Sequence, residues 1–515
     1  MLRALFFGYF STIVVAVALN TGPISAADLN GSCCGDLEQR IAELEATTAN
    51  KGDRKMSLSI IGQVHRVILW WDDGRSSGTF YGLDSTDTSS RFIFLGSGKL
   101  TPKVKVGFEI MIDIRGGGTT AAVSQLDEDG KLTTFIPNVN SSLTGPIGIP
   151  SLNGQNADPF FGEARRIAWW IENEDIGRLT MGRYEMAGVW GTIDLTGHVF
   201  LVGSAGFTLL NGGFFIRGPT GQYYAMVWGN IGDPASGYNR TELVRYDSPS
   251  WKGFIYSASV AEAGDYWGTM LRYFREDGGF RVAAQIGYER VTDIATPGVV
   301  DPANLAYVGA PPNGTGESVA LSTMHLPTGL FVQGHYVQFK YGGEIIGAPS
   351  GYAGETTVHK EDVLWRLIQG GISKNWFGYG ATSLYGEYGA VSNAGADITN
   401  AAGTTMGRDY LVPANTTGFT PVQGVTSTEL RVWGVGIVQD FDAGKVPFSY
   451  FSSAAHTTVY LGYRHFDGDV RCTDHLAAAT CSGGVPVTAS VTSFTTHKLP
   501  TEPLGVIVTG ARVRF

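Results

Sequence analysis

The stretch "KVKVGFEIMID" (Lys103–Asp113) alternates between apolar and polar side chains. Val104, Val106, Phe108, Ile110 and Ile112 share one parity, and Lys103, Lys105, Glu109 and Asp113 share the other. A period of two is that of a β-strand whose faces meet different surroundings. About 9–11 residues are enough for a tilted strand to cross a hydrocarbon layer. The stretch therefore predicts a membrane-spanning strand.

The same period recurs from residue 57 to residue 515. "GFRVAAQIGYE" (Gly279–Glu289) repeats it, and so does "VIVTGARVRF" (Val506–Phe515), where Phe515 completes the apolar face. Sixteen candidate strands follow: 57–71, 89–100, 103–114, 162–173, 177–184, 239–249, 252–261, 266–274, 279–290, 317–325, 329–340, 363–375, 380–391, 427–440, 456–467 and 504–515.

The connections between these strands alternate between short and long. Brief turns such as "LPTG" (326–329) follow even-numbered strands, and long polar segments such as 291–316 follow odd-numbered ones, with a short exception at 262–265. This parity is typical of a transmembrane β-barrel with turns on the periplasmic side and loops outside. Because lipid leaves no partner for an open sheet edge, strand 57–71 should pair with strand 504–515. The sequence predicts an all-β, 16-stranded antiparallel transmembrane β-barrel, with Phe515 at the periplasmic membrane interface.

Composition agrees with a barrel. The 515 residues include 71 glycines, only 16% are charged, and the mean hydropathy is +0.01. Apolar residues are thus abundant without the runs of roughly 20 that helical membrane spans need. The net charge of −10 argues against a nucleic-acid partner, which would favour a basic face.

The first 54 residues form a different region. Arg3, the apolar run that follows it and Ser25-Ala26-Ala27 predict a secretory signal peptide over 1–27, against the alternative of a retained membrane anchor. Residues 28–54 are then a periplasmic segment ahead of a barrel over 55–515. Its Leu37, Ile41 and Leu44 form one stripe of a short helix near 36–49, which is either a capping helix or a short coiled coil between chains.

Export to an oxidising compartment agrees with the four cysteines. Cys472 and Cys481 lie close together in a loop-like stretch and are predicted to form a disulfide. Cys33 and Cys34 are adjacent near the N-terminus and receive no assignment.

Several longer stretches resemble the alphaproteobacterial general porin family. They are "DLEQRIAELEATTANKGDRKMSLSIIGQV" (36–64), "GRLTMGRYEMAGVWGTIDLTG" (177–197), "ELVRYDSPSWKGFIYSASVAEAGDYWGTMLRYFREDGGFRVAAQIGYER" (242–290), "LPTGLFVQGHY" (326–336), "GGISKNWFGYGATSLYGEYG" (370–389), "LRVWGVGIVQDFDA" (430–443) and "GARVRF" (510–515). The resemblance implies a homotrimeric outer-membrane porin through which small hydrophilic solutes and ions diffuse passively. Loops 115–161 and 392–426 show no family pattern.

The resemblance also implies that the third loop, from Tyr184 to about Tyr238, folds into the barrel and sets a constriction. Loop acids Glu185 and Asp194 would then face basic wall residues whose parity points inward. These are Arg91, Lys103, Lys105, Arg166, Arg245, Arg272, Arg464, Arg512 and Arg514. For each residue, a solvated position remote from the constriction is the alternative. The apolar stretches "HVFLVGSAGFTLL" (198–210) and "FFIR" (214–217) should pack on the wall or at a subunit contact.

Other chemistry has little support in the sequence. The chain has no HExxH and no P-loop motif. "LDEDGK" (126–131) begins like a calcium loop but lacks the later ligands. The prediction is therefore a non-enzymatic channel without a cofactor or metal. A substrate-specific channel for sugars or anions and an adhesive or structural barrel remain as alternatives.

Overall fold

A computed structural model of the chain describes the following residues: 56–114, 118–121, 123–125, 161–189, 191–203, 206–232, 240–261, 265–292, 299–300, 307–308, 314–341, 358–360, 362–401, 404–410, 419–420, 422–441, 456–473 and 496–515. Several predictions lie outside these residues: the signal peptide (1–27), segment 28–54 with its helix, Cys33, Cys34, Cys481, the calcium-like stretch 126–131, and much of loops 115–161 and 392–426.

Sixteen antiparallel strands form a closed barrel. They are β1 (Met56–Asp72), β2 (Arg91–Thr101), β3 (Val104–Ile114), β4 (Phe161–Asn173), β5 (Gly177–Glu185), β6 (Arg240–Asp247), β7 (Phe254–Ala261), β8 (Tyr266–Asp277), β9 (Phe280–Val291), β10 (Gly314–His325), β11 (Leu330–Tyr341), β12 (Val363–Lys374), β13 (Thr382–Ser392), β14 (Val422–Phe441), β15 (His456–Thr473) and β16 (Leu504–Arg514). Each strand pairs with the next one along the chain, so the predicted fold class is confirmed.

Strand β1 closes the ring. Residues 56–63 pair with β2, and residues 63–72 pair with β16 in the register Gln63↔Arg514 to Asp72↔Gly505. Beyond β16, the Gly62 N–H donates to the Phe515 carbonyl at 2.9 Å. The Phe515 ring packs edge-on against Phe92, with 6.1 Å between ring centroids. The predicted pairing of the first and last strands is confirmed.

The two ends of the barrel differ as predicted. At one end, here called the turn side, the strands are joined by short links such as 102–103, 278–279 and 326–329. At the other end, the loop side, extra strands continue the sheet: Ser77–Asp84 pairs with β1, and Thr496–Leu499 pairs with β15. The largest boundary errors are on this side, where β14 begins at Val422 and β15 continues to Thr473.

The two faces of the wall also differ as predicted. Large apolar side chains at outward positions are exposed, among them Leu58, Ile60, Ile286, Ile368 and Leu461. At inward positions the same strands carry buried polar side chains, such as Gln285 and Gln369. No helix among the described residues has both the length and the apolar character needed to span a bilayer.

The segment after β5, described at residues 186–189, 191–203 and 206–232, lies inside the barrel and is called the inserted segment below. It contains two 3-10 turns (Val199–Leu201 and Phe207–Leu210), a hairpin of Phe215–Arg217 with Tyr223–Val227, and a short helix α1 (Trp228–Gly232). It follows the inner wall: Ala187 N–H donates to Ser259 on β7, Thr192 bonds to His335 on β11, and His198 bonds to Ser383 on β13.

The inserted segment and one arc of the wall share a hydrophobic core. From the segment the core includes Val199, Leu201, Val202, Phe207, Leu210, Phe214 and Ile216; from the wall it includes Val67, Leu69, Trp71, Trp365, Leu367, Val432, Phe466, Leu504, Val506 and Val508. The apolar stretches at 198–210 and 214–217 were predicted to pack on the wall or at a subunit contact, and their described residues pack on the wall. These wall residues belong to β12, β14, β15, β16 and β1, so this arc contributes a large apolar area to the inner face.

Candidate pore-lining site

Charged side chains gather on the opposite arc of the inner wall, formed by β2 to β8. Six arginines and four carboxylates are joined there by ion pairs, and we call this set the arginine–carboxylate network. Its members are Arg91, Arg165, Arg166, Arg240, Arg245, Arg272, Glu109, Asp113, Glu185 and Asp247.

Glu185 lies at the centre of the network. The Arg166 Nε donates to both Glu185 carboxylate oxygens at 2.9 and 2.8 Å, and the Arg240 Nε donates to Oε1 at 2.9 Å. Arg166 also donates from Nη1 to Glu109 at 2.7 Å. Such forked, charge-assisted hydrogen bonds fix both position and orientation. Because Glu185 ends β5, this clamp fixes the point from which the inserted segment departs.

Asp247 forms a second centre. Its Oδ1 accepts from Arg245 Nη2 at 2.8 Å, from Arg272 Nη2 at 2.7 Å and from the Ser257 hydroxyl at 2.5 Å. Arg245 connects the two centres, because its Nη1 donates to the Glu185 backbone carbonyl at 3.2 Å. The guanidinium groups of Arg166 and Arg245 both face the Tyr184 ring, at 5.0 and 5.7 Å from its centroid.

A β-bulge adds an arginine that strict alternation would direct outward. In the pairing of β3 with β4, Met111 opposes Arg166 while Ile112 opposes Ala164, so Arg165 is the extra residue. A bulge changes the direction of the extra side chain. Arg165 consequently donates to the inward-facing Asp113 at 2.8 Å, beside Arg91 at 3.8 Å from the same carboxylate. The consecutive residues Arg165 and Arg166 thus both contribute side chains to the inner face.

The network has more positive than negative groups. Six arginines against four carboxylates leave an excess of two positive charges when the carboxylates are ionised. Electrostatic interactions strengthen where water is partly excluded. The side chains of Arg245 and Arg272 are almost fully buried. The arrangement can attract anions to this arc and orient dipolar solutes.

A buried ion pair anchors the inserted segment on the other arc. Arg464 Nε on β15 donates to Glu387 Oε1 on β13 at 2.6 Å, and both side chains are only 1% exposed. Arg464 Nη1 also donates to the Phe207 carbonyl at 3.4 Å. Gln369 donates both to Glu387 and to the Gly203 carbonyl. The wall thereby holds the segment through its backbone.

Glycines allow the inserted segment to touch the wall. A Cβ atom at Gly287 on β9 would collide with the Gly188 carbonyl oxygen, and one at Gly268 on β8 would collide with the Ala187 carbonyl oxygen. Protein backbone on both sides of the contact leaves little room for adjustment.

Burial changes the acid–base behaviour of the inserted segment. His198 is buried, its Nε2 lies 2.6 Å from the Ser383 hydroxyl, and burial lowers the pKa of its imidazole. Asp194 accepts from the N–H groups of Thr196 and Phe200 at 2.8 and 2.9 Å. This carboxylate therefore supports the fold of the segment itself.

Apart from Asp194, described above, the predicted pore residues fall into three groups. Arg91, Arg166, Glu185, Arg245 and Arg272 come together in the network. Lys103 and Lys105 lie at the turn side, where they pair with Asp175 at 2.6 Å and Glu174 at 4.0 Å. Arg464 is under the inserted segment, Arg512 is buried on β16 opposite His65, and Arg514 pairs with Asp440 at 3.7 Å.

Five members of the network were not among the predicted site residues: Glu109, Asp113, Arg165, Arg240 and Asp247. Glu109 and Asp113 share the inward parity of Lys103 and Lys105, and Asp247 shares that of Arg245, so alternation contained their signal. The β-bulge that turns Arg165 inward cannot be recognised from alternation in the sequence. Cys472 is buried and forms a disulfide, but the pairing with Cys481 stays a prediction.

Metal ligation has no geometric basis in the part of the chain that the structure describes. No group of three or more His, Cys, Asp or Glu side chains there could hold a metal ion.

No family model matches this chain, and no curated protein matches it. Solved structures do resemble it in fold. The anion-selective porin from Comamonas acidovorans is 13% identical, with a TM-score of 0.43 and coverage of 89% of this chain and 100% of that one. In-vitro folded OmpT, an outer membrane protein of Vibrio cholerae, is 11% identical, with a TM-score of 0.42 and coverage of 90% and 99%. OmpF of Salmonella typhi in complex with daunomycin is 11% identical, with a TM-score of 0.38 and coverage of 90% and 98%. At these identities the likeness concerns the fold alone, which the strand pairing described above establishes for this chain.

Proposed function

We propose that this chain forms a water-filled channel in an outer membrane, through which small hydrophilic solutes and ions diffuse passively. The observation that carries the proposal is the closed ring of sixteen strands, apolar on its outward face and largely polar or charged on its inner face from β2 to β10. A barrel of 16–18 strands is too wide for its wall side chains alone to fill. An apolar exterior and a polar lumen are the two requirements of an aqueous pore.

The position of the inserted segment supports a defined solute path. Its hydrophobic core covers the inner wall of β12 to β16 and β1, so solutes would pass along the charged wall of β2 to β8. There they would meet the arginine–carboxylate network. We propose the five predicted residues of this network, among which Glu185 is the one acid, as the selectivity filter, together with its five additional members.

The assignment of this channel to a particular porin family rests on the sequence motifs. Stretches such as "GRLTMGRYEMAGVWGTIDLTG" (177–197) and "GGISKNWFGYGATSLYGEYG" (370–389) support membership of the alphaproteobacterial general porins. Membership of this family implies that the chain forms a homotrimer, is exported through a signal peptide over 1–27, and has no enzymatic activity. In this assignment the turn side faces the periplasm.

A channel specific for anions is the second candidate. The excess of two arginines in the network favours it. A specific channel would saturate as the solute concentration rises, whereas a general channel would conduct in proportion to concentration.

The test is single-channel conductance of the folded, detergent-extracted protein in a planar bilayer, with the reversal potential measured across a salt gradient. We expect ohmic steps that arrive in threes, and a reversal potential that indicates preference for anions. Absence of conductance from protein shown to be folded by its gel mobility before and after heating would contradict the channel and favour a structural or adhesive barrel.

A further inference from the structure

A tryptophan and an arginine form a stacked pair on the inner wall, outside the arginine–carboxylate network. Arg178 on β5 lies opposite Asp247 of the network on β6, and Trp170 on β4 lies opposite the buried Thr180 on β5. Both side chains are therefore at inward positions. The Arg178 guanidinium lies over the Trp170 ring, 4.3 Å from the ring centroid. We call Trp170 and Arg178 the stacked pair.

Stacking occupies the face of the guanidinium and leaves its edge for hydrogen bonds. The N–H donors of a guanidinium lie in its plane, and a cation–π contact fixes the orientation of that plane. In the part of the chain that the structure describes, no hydrogen bond or ion pair reaches the donors of Arg178, and its Nε atom is buried without a partner. The residue is half-buried, so the end of its side chain reaches the lumen. The stacked pair thus presents oriented donors that have no acceptor.

The neighbouring carboxylates do not neutralise Arg178. Asp247 is already engaged by Arg245 at 2.8 Å and by Arg272 at 2.7 Å. Glu172 lies directly opposite Arg178 in the pairing of β4 with β5, yet no ion pair joins these two described side chains. Glu172 is close enough in register to compete for the guanidinium. An anion that binds Arg178 must therefore displace no existing ion pair, but it has a competitor beside it.

The stacked pair is separate from the proposed selectivity filter. Arg178 lies near the turn-side end of β5, whereas Glu185 ends the strand at the loop side. At about 3.3 Å per residue, the two positions are about 20 Å apart along the strand. Gly107 on β3 supports the pair, because a Cβ atom there would collide with the Trp170 ring. The pair therefore lies on the same charged arc of the wall, between the filter and the turn-side opening.

We propose that the stacked pair binds the carboxylate group of small organic acids on the turn side of the filter. A carboxylate is planar and accepts parallel hydrogen bonds from the fork of one guanidinium, which a halide ion does not. The inference deepens the channel proposal and rests on it for the path that brings solutes to the site. Binding itself can be measured without conduction.

The test is saturation-transfer NMR of the folded, detergent-solubilised protein with potassium formate, whose single proton resonates away from the detergent signals. The test variants are R178Q, which removes the cation, and Glu172→Gln, which removes the competing carboxylate. Trp170→Leu removes the stacking but keeps the charge. The control is Arg281→Gln on β9, an inward arginine near the same end of the barrel that is paired with Glu276 at 2.9 Å.

We expect the wild type to bind formate with a saturable signal. R178Q should raise the dissociation constant about tenfold, because one hydrogen bond to a charged group contributes about a factor of ten. Glu172→Gln should lower it about threefold, the factor for about 1 kT of local potential. Trp170→Leu should raise it less than R178Q does, and Arg281→Gln should leave it unchanged. Gel mobility before and after heating should be the same for all variants.

The proposal is overturned if the wild type gives no saturable formate signal, or if R178Q binds formate as well as the wild type does. Displacement of formate by inorganic phosphate at a much lower concentration would assign the site to phosphate and overturn the carboxylate assignment. Chloride conductance in a planar bilayer separates the site from the channel. Conductance without formate binding would contradict the site alone, and formate binding by a protein that conducts no chloride would support the site and contradict the channel.

Discussion

Glu387→Gln tests whether the buried ion pair under the inserted segment stabilises the barrel interior. The amide keeps the size of the side chain and can still accept the hydrogen bond from Gln369, which is 2.8 Å long in the wild type. The substitution therefore removes mainly the charge. Arg464, which is 1% exposed, would be left without its carboxylate.

The expected loss is large because neither group reaches water. Removing one partner of a buried ion pair costs about 3–5 kcal/mol, since the remaining charge stays desolvated. An exposed pair is worth about 0–1 kcal/mol. Arg464 also holds the Phe207 carbonyl, so the loss should extend to the packing of Phe207 against Trp365, whose ring centroids are 6.3 Å apart.

Urea unfolding of the detergent-solubilised protein, followed by tryptophan fluorescence, measures this loss. We expect Glu387→Gln to lower the free energy of unfolding by about 3 kcal/mol or more. The double variant E387Q/R464Q should recover part of the loss, because both charges are then absent. Arg281→Gln, in an exposed pair, should cost less than about 1 kcal/mol. A loss below about 1 kcal/mol for Glu387→Gln would refute the reasoning.

Three further predictions concern the site and the inserted segment. Glu185→Gln should make the channel more selective for anions: the anion-to-cation permeability ratio, measured from the reversal potential, should rise about threefold, the factor for about 1 kT of local potential. An unchanged reversal potential would show that Glu185 is not part of the selectivity filter. Gly287→Ala should lower the unfolding free energy by about 1–3 kcal/mol and raise current noise, because its Cβ meets the Gly188 carbonyl. The control is Gly386→Ala, where the added Cβ would lie 3.8 Å from the nearest atom. It should leave both the unfolding free energy and the current noise unchanged. His198 has a lowered pKa, so its contribution to stability is complete above its ordinary value of 6.5 and decreases as the pH falls below it. His198→Gln should flatten the decrease of the urea midpoint below that pH, and an unchanged slope would contradict the assignment.

Most of the fold could be predicted because alternation is a local property. Each of the sixteen strands was located, since an outward apolar face and an inward polar face leave a period of two in every strand. Strands β14 and β15 were predicted too short at the loop side. The residues missed on β15 include Asp469 and Arg471, which pair in register with β14 but place charges where an apolar face would be expected. The backbone hydrogen bonds of these strands continue toward the loops, beyond the residues that alternate between apolar and polar.

The site could be predicted only in part, because it depends on contacts between distant residues. Parity placed Arg166 and Arg245 on the inner face, but the bulge that brings in Arg165 follows from the pairing of β3 with β4. The hydrophobic core on the inner wall could not be predicted from alternation either. Trp365 and Val506 are buried because the inserted segment covers them, and alternation alone would have placed them in water.

The hydrophobic core inside the barrel has a consequence for assembly. Six of its side chains belong to the two strands that meet when the ring closes: Val67, Leu69, Trp71, Leu504, Val506 and Val508. Burying each contributes about 2 kcal/mol, and together they contribute on the order of 10 kcal/mol. The inserted segment shares this core with them, so the full gain requires that the inserted segment lies against the seam. Closure of the β1–β16 seam and docking of the inserted segment are therefore one cooperative step, and an empty barrel would carry a water-exposed apolar seam.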